Sequence, residues 1–106
     1  MHRAIPVLWI VENNNMHGIT YHASARIGKH GKPLTSIRYD RPIEVASIAR
    51  SMGLRAWVVD APGKLQRAFR EWLPSRASGL IEVRVDASVS PPVGGRVSSL
   101  AGFIRR

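Results

Sequence analysis

The sequence contains no cysteine, which excludes disulfide bridges, thiolate zinc sites, iron-sulfur clusters and cysteine nucleophiles. The cytoplasm is therefore the expected compartment. Acidic residues are scarce, with seven Asp and Glu against sixteen Lys and Arg, so the chain carries +9. Such an excess attracts phosphates, nucleic acid or an acidic subunit, and charge alone does not choose among them. Long apolar runs are missing as well. The longest, Ala4 to Val11, is eight residues including Pro6, against the roughly 20 that cross a bilayer. With only Arg3 upstream and no small-residue cleavage site after it, this run does not read as a signal peptide, and no membrane partner is expected. Aromatics are few, and Trp9, Trp57 and Trp72 fall in apolar periods, where core packing is expected rather than base stacking. Ser24, Ser36, Ser47 and Ser51 lie in no nucleophile elbow, and no internal repeat is visible.

What is present fits one domain or less. The chain has 106 residues, 44% hydrophobic and 22% charged, which is globular composition rather than that of a disordered polyelectrolyte. A chain this short hides only roughly 60 to 70% of its unfolded surface, so its stability margin is thin and a covering partner is plausible from size alone.

Ile5 to Val11 (IPVLWIV) is apolar on both faces of any strand drawn through it, as in a strand covered on both sides of a parallel sheet. It stops at Glu12-Asn13-Asn14-Asn15, residues suited to turns. Residues 16–39 show no sustained period and are punctuated by Gly18, Gly28, Gly31 and Pro33, which predicts a long exposed loop with one helical turn. Pro42 suits a helix start. Val45, Ile48, Ala49 and Met52 then form one apolar stripe, and Gly53 supplies the stop. Leu54 to Val59 predicts a strand and Asp60-Ala61-Pro62-Gly63 a turn. Leu65, Ala68, Phe69 and Trp72 repeat the helical spacing, with Lys64, Arg67, Arg70 and Arg76 on the solvated face. Ile81, Val83 and Val85 alternate with Glu82, Arg84 and Asp86, which predicts a strand at a sheet edge or one whose polar face meets another subunit. Residues 87–106, with Pro91-Pro92 and Gly94-Gly95, are expected to form an extended tail before a short helix from Val97 to Ile104. Helices between strands imply right-handed parallel crossovers. The expected fold is α/β: a three-stranded parallel sheet with flanking helices, half of a doubly wound domain.

In open α/β sheets ligands bind beyond the carboxyl ends of the strands, which directs attention to the turn after Val11. Asparagine amide oxygens and backbone carbonyls there are hard neutral ligands suited to Mg2+, although a polar turn is also the commonest plain feature at a strand end. His2, His17, His22 and His30 are expected to be solvated, with a proton-transfer role open to His17 and His22.

The segment from Ile5 through Asn13-Asn14-Asn15-Met16-His17-Gly18-Ile19 resembles the second half of the thiamine diphosphate motif of the acetolactate synthase, pyruvate oxidase and 2-oxo acid decarboxylase family. That motif opens with Gly-Asp-Gly and ends in an apolar strand closed by Asn-Asn. The later order also fits, through Gly79-Leu80-Ile81-Glu82-Val83-Arg84-Val85-Asp86 and the Pro91-Pro92 tail, so the likeness covers nearly the whole chain. It implies that residues 1–86 are the C-terminal half of a thiamine diphosphate-binding domain, with 16–39 as the cofactor- and substrate-side loop.

The resemblance further implies that Asn14 offers its side-chain oxygen and Met16 its backbone carbonyl to Mg2+, that Asn13 shapes the turn, and that Gly18-Ile19 leads the following segment over the cofactor. The third asparagine leaves Asn15 as an alternative ligand. Gly-Asp-Gly is absent, and with it the aspartate ligand; so is the pyrimidine-binding domain with its activating glutamate. The implied function is a subunit or fragment of a lyase or transferase acting on 2-oxo acids, inactive as an isolated chain. Its partner would be a chain carrying Gly-Asp-Gly and the pyrimidine-binding domain, or further copies of itself. The alternative reading is a basic nucleic-acid-binding module, against which stands the lack of a helix-turn-helix, RNA-binding sheet motif or zinc signature.

Overall fold

The computed structural model describes residues 5–27 and 38–90. The predicted tail helix, His2, His30 and the glycines of the basic stretch 28–37 lie outside the described residues. Contacts divide the chain into two compact units, one built from the residues up to Asn13 with Ile43–Val85, the other from Asn14–Pro42 with the residues from Asp86 onward.

The first unit is a parallel sheet. β1 (Leu8–Asn13), β2 (Arg55–Val59) and β3 (Gly79–Arg84) lie in the order β1-β3-β2. Ile10 pairs with Ile81 and Trp57 with Ile81, so both neighbours run parallel to the central strand. Two helices make the crossovers and pack on β2 and β3: α2 (Val45–Ser51) and α3 (Lys64–Trp72), the latter continued by a 3-10 turn over Leu73–Ser75. The chain steps from β1 over β3 to β2 and then back, so right-handed crossovers place α2 and α3 on opposite faces. Side chains agree. Ile81 packs with Val59 and Ala68 of α3, while its neighbour Glu82 points the other way and meets the backbone of Ala46 in α2. The expected α/β parallel architecture is therefore present.

Three expectations need correction. The alternating strand β3 is not an edge; it is the centre of the sheet, and Glu82 is fully buried there. Glu82 is internal because its carboxylate is supplied with donors, while Arg84 of the same face is exposed. Conversely the apolar strand β1 is an edge among the described residues, with Trp9 46% and Ile10 51% exposed on its two faces. The ladder also runs two residues further than Val11, so Asn13 belongs to the strand and pairs with Arg84.

The helix stripes are only partly covered. In α2 the buried residues are Ala46 and Ala49, while Ile48 and Met52 of the predicted stripe are exposed. Small residues face the sheet because the helix approaches it closely. The helix starts at Val45 rather than beside Pro42. It ends as expected: Leu54 N–H donates to Ala49 O and Gly53 N–H to Arg50 O, at 3.0 and 2.9 Å, with Gly53 at φ +84°. That pair of bonds is a Schellman closure, and it requires the left-handed conformation that glycine adopts without steric cost. In α3 only Ala68 is buried, and Leu65 and Phe69 stay exposed.

Polar ties hold α3 to its surroundings. Trp57 Nε1–H donates to Glu71 at 2.8 Å and Arg67 Nε to the same carboxylate at 3.0 Å. These two donors, the indole first, hold the Glu71 carboxyl below the usual range. Lys64 does the same for Asp60, through its hydrogen bond and then its charge. Each group has a lowered folded-state pKa, so its contribution is complete above the ordinary carboxylate range of about 3.9 to 4.3 and disappears as pH falls below it. Urea midpoints measured from pH 6 downward are expected to stay level to about pH 4.5 and then fall. In Glu71→Gln the fall should be shallower, and an unchanged slope would refute the assignment to this carboxylate.

The second unit contains a helix where a loop was expected: α1, Gly18–Ile27. Its sequence offers small Ala23 and Ala25 and polar His22 and Ser24 rather than a recurring apolar stripe, so periodicity does not reveal it. Local ties hold it. Ser24 Oγ donates to Tyr21 O at 2.9 Å, Arg38 lies 5.4 Å over the Tyr21 ring, and His22 Nε2 shares a hydrogen bond with Ala87 O at 3.1 Å. Among the described residues no helix is long and apolar enough to cross a membrane.

Candidate functional site

Asn13 ends β1 with its side chain turned into the first unit. Its Nδ2 donates to Ile43 O at 2.7 Å and to Glu82 Oε1 at 2.9 Å. Two acceptors fix the direction of the amide, and Asn13 N–H and C=O belong to the strand, its carbonyl accepting Val85 N–H at 3.1 Å. Asn13 is thereby structural, the last residue of β1 rather than a residue of the turn, and its amide nitrogen faces protein. Glu82, which sequence reasoning passed over, is the other half of the device. Its second oxygen accepts Ala46 N–H at 2.7 Å, and Arg84 Nε stands 3.7 Å from the first. Ala46 lies in the first turn of α2, where N–H groups have no helical acceptor and negative charge is favoured.

Asn14 to Ile19 belong to the second unit. Asn14 Oδ1 accepts Met16 N–H at 3.3 Å, an Asx turn in which the side chain stands in for a backbone carbonyl. Asn15 adopts the left-handed conformation at φ +54°, which asparagine tolerates better than most residues. Asn15 O then accepts Tyr39 N–H at 3.4 Å, and Met16 forms an antiparallel bridge with Arg38. Met16 is 6% exposed, so its side chain anchors the turn. His17 accepts Tyr21 N–H on its carbonyl, at 3.0 Å, and its Nδ1 lies 2.7 Å from Thr20 Oγ1. His17 is thereby tied to the first turn of α1, and His22 to Ala87.

Gly18 opens α1, and here the absence of a side chain matters: a Cβ would lie 2.5 Å from Asn14 Nδ2. The Asn14 amide thus occupies space that any other residue at position 18 would claim. Ile19 follows, exposed.

These residues suit part of a divalent-ion and diphosphate site. Asn14 Oδ1 accepts Met16 N–H on one of its two lone pairs, and amide and backbone carbonyl oxygens are ligands of the kind a hard cation takes. The N–H groups of Gly18 and Ile19, in the first turn of a ten-residue helix, lack helical acceptors and suit an anion. What the set lacks is a carboxylate. Among the described residues no group of three or more His, Asp or Glu is arranged to hold a metal. Glu82 is committed to internal donors.

Asn14, Met16 and Gly18 were singled out by the resemblance to the thiamine diphosphate motif. For Glu82, the only signal was an acid between apolar residues in Leu80-Ile81-Glu82-Val83, which alternation disguises as a surface face. Comparison with curated proteins gives no match. The family model described as thiamine pyrophosphate enzyme, C-terminal TPP binding domain, matches residues 1–83, a span that holds β1, β2, all of β3 but Arg84, the Asn13-Asn14-Asn15 corner and Glu82. Thiamine pyrophosphate is the cofactor called thiamine diphosphate above, and by this match the chain belongs to the family of thiamine pyrophosphate enzyme C-terminal TPP binding domains.

Proposed function

We propose that this chain contributes the neutral half of a Mg2+ and diphosphate site to a thiamine diphosphate-dependent enzyme of the acetolactate synthase, pyruvate oxidase and 2-oxo acid decarboxylase type. In this reading residues 1–86 form the C-terminal half of the cofactor domain and 87–106 a tail. The setting is cytoplasmic. Asn14 Oδ1 and the Met16 carbonyl hold the metal, and the Gly18 and Ile19 amides face the diphosphate. Bound cofactor supplies the carbanion chemistry of a lyase or transferase. The protein's share is to place the cofactor and keep its diphosphate neutralised.

The observation that carries the reading is the Asn14 amide, fixed by an Asx turn against a glycine that leaves it room, in a donor set without a carboxylate. Mg2+ favours an anionic ligand alongside neutral oxygens, so this half-site calls for one from elsewhere. A polypeptide carrying Gly-Asp-Gly supplies it in our reading, together with the pyrimidine-binding domain. Among the described residues β1 is an edge strand, apolar on both faces, and in our reading a further parallel strand pairs there.

Calorimetric titration with Mg2+ and thiamine diphosphate tests this. The purified chain is expected to bind with a Kd above about 1 mM, and the assembly with a Gly-Asp-Gly chain at least roughly 100-fold more tightly. Micromolar binding by the chain alone would overturn the half-site. An assembly that forms but takes up no cofactor would overturn the functional reading.

A further inference from the structure

α3 carries a second apolar line that the sheet does not use. Leu65, Phe69 and Leu73 follow at steps of four residues and are 40%, 41% and 64% exposed. They line a groove of about 390 Å3 with Gln66 and Arg70. Phe69 packs edge-on against Trp72 with ring centroids 5.7 Å apart, and Trp72 Nε1–H is held by Ala77 O at 2.8 Å. Rows at i, i+4 and i+8 are the ridges that interlock with the grooves of a second helix, and this row runs about 12 Å, two helical turns.

Charge selects the occupant. α3 bears Lys64, Arg67 and Arg70 against the single Glu71. Lys64 is paired with Asp60 and Arg67 with Glu71, whereas Arg70, the cation lining the groove, has no ion-pair partner among the described residues. A second copy would bring its own Arg70 into a self-complementary contact, and each copy carries +9. A lipid surface is also a poor match, because insertion scales with buried apolar area and this row has three apolar members bordered by Gln66 and Arg70.

We propose that the outer face of α3 is a docking surface for an amphipathic helix of another polypeptide, whose apolar ridge fills the Leu65-Phe69-Leu73 groove and whose flanking acidic residues meet Arg70. This surface is separate from the cofactor half-site and does not depend on that assignment.

Two synthetic helices of roughly 15 residues with the same leucine ridge, one flanked by Glu and one by Lys, test it by fluorescence polarisation on the full chain. The Glu-flanked helix is expected to bind saturably, at least about tenfold more tightly than the Lys-flanked one at low salt, with the preference shrinking as salt is added. Phe69→Asp should abolish binding, and Arg70→Glu should reverse the charge preference. Leu73→Glu, at the most exposed of the three positions, serves if Phe69→Asp fails to fold. The proposal is overturned if neither helix binds, if both bind equally, or if Leu73→Glu leaves binding unchanged. A dimer in sedimentation that Leu73→Glu dissolves would make a second copy the occupant. Binding to phosphatidylserine vesicles without peptide discrimination would make it a membrane.

Discussion

Glu82→Ala is expected to destabilise the chain by about 3 kcal/mol, because it strands a helix N–H and opens a cavity in the centre of the sheet. The Glu82 side chain is fully buried, and its two oxygens take hydrogen bonds from Asn13 Nδ2 and Ala46 N–H. Without it Asn13 keeps Ile43 O as an acceptor, but Ala46 N–H has no replacement in a buried position. Arg84 loses the carboxylate 3.7 Å away as well. Glu82→Gln preserves shape and one acceptor but turns an NH2 group toward a donor, so about 1 to 2 kcal/mol is expected there. Domains of this size hold only about 5 to 15 kcal/mol in total, so the alanine variant should show a urea midpoint lower by roughly 1 to 3 M. A double-mutant cycle with Asn13→Ala should return a coupling of about 1 kcal/mol or more. Independent behaviour of the two residues would mean that their contact does not hold the end of β1.

The same residue shows where sequence reasoning reached and where it stopped. Parallel strands joined by helices were legible, because the helical spacing in Val45 to Met52 and Leu65 to Trp72, and the stop at Gly53, are local properties. The order β1-β3-β2 was not. Alternation in Ile81 to Asp86 reads as a strand with one wet face only if polar means exposed, and Glu82 is polar and internal. The opposite error attaches to β1, whose apolar run predicts burial on both faces, while Trp9 and Ile10 stand half-exposed at an edge. Both errors come from long-range partners that no window of sequence contains: Glu82 is satisfied by Asn13, sixty-nine residues away.

The corner itself was partly legible. The resemblance singled out Asn14, Met16 and Gly18, and the structure adds how they lie together, through an Asx turn and a missing Cβ. α1 was hidden, since a helix held by Tyr21, Ser24, His22 and their hydrogen bonds leaves no periodic apolar trace. The uncovered faces of α2 and α3 were hidden for a related reason. Spacing identifies an apolar stripe, but the polypeptide that covers it need not be the one that carries it.

Asn14 and Asn15 are alternatives as the metal ligand by sequence, and their conformations predict opposite outcomes on substitution. In an assembly that supplies the carboxylate, Asn14→Ala is expected to weaken Mg2+-dependent uptake of thiamine diphosphate by about 100-fold or more, since even outer-shell partners of a metal are worth about 10 to 100-fold. It removes the oxygen and the Asx turn together. Asn15→Ala places alanine at φ +54°, a strain of about 1 to 2 kcal/mol, and so should lower the melting temperature while leaving cofactor affinity within a few-fold. Asn15→Gly should restore the stability, because glycine carries no Cβ penalty there. Gly18→Ala separates position from chemistry. Its Cβ would press on Asn14 Nδ2, the far end of a flexible side chain, which can swing aside at small cost in stability but then no longer aims its oxygen. About 10-fold or greater loss of affinity with a nearly unchanged melting temperature is expected. If instead Asn15→Ala abolishes uptake and Gly18→Ala is silent, the ligand is the later asparagine, and the space beside Gly18 serves only the turn.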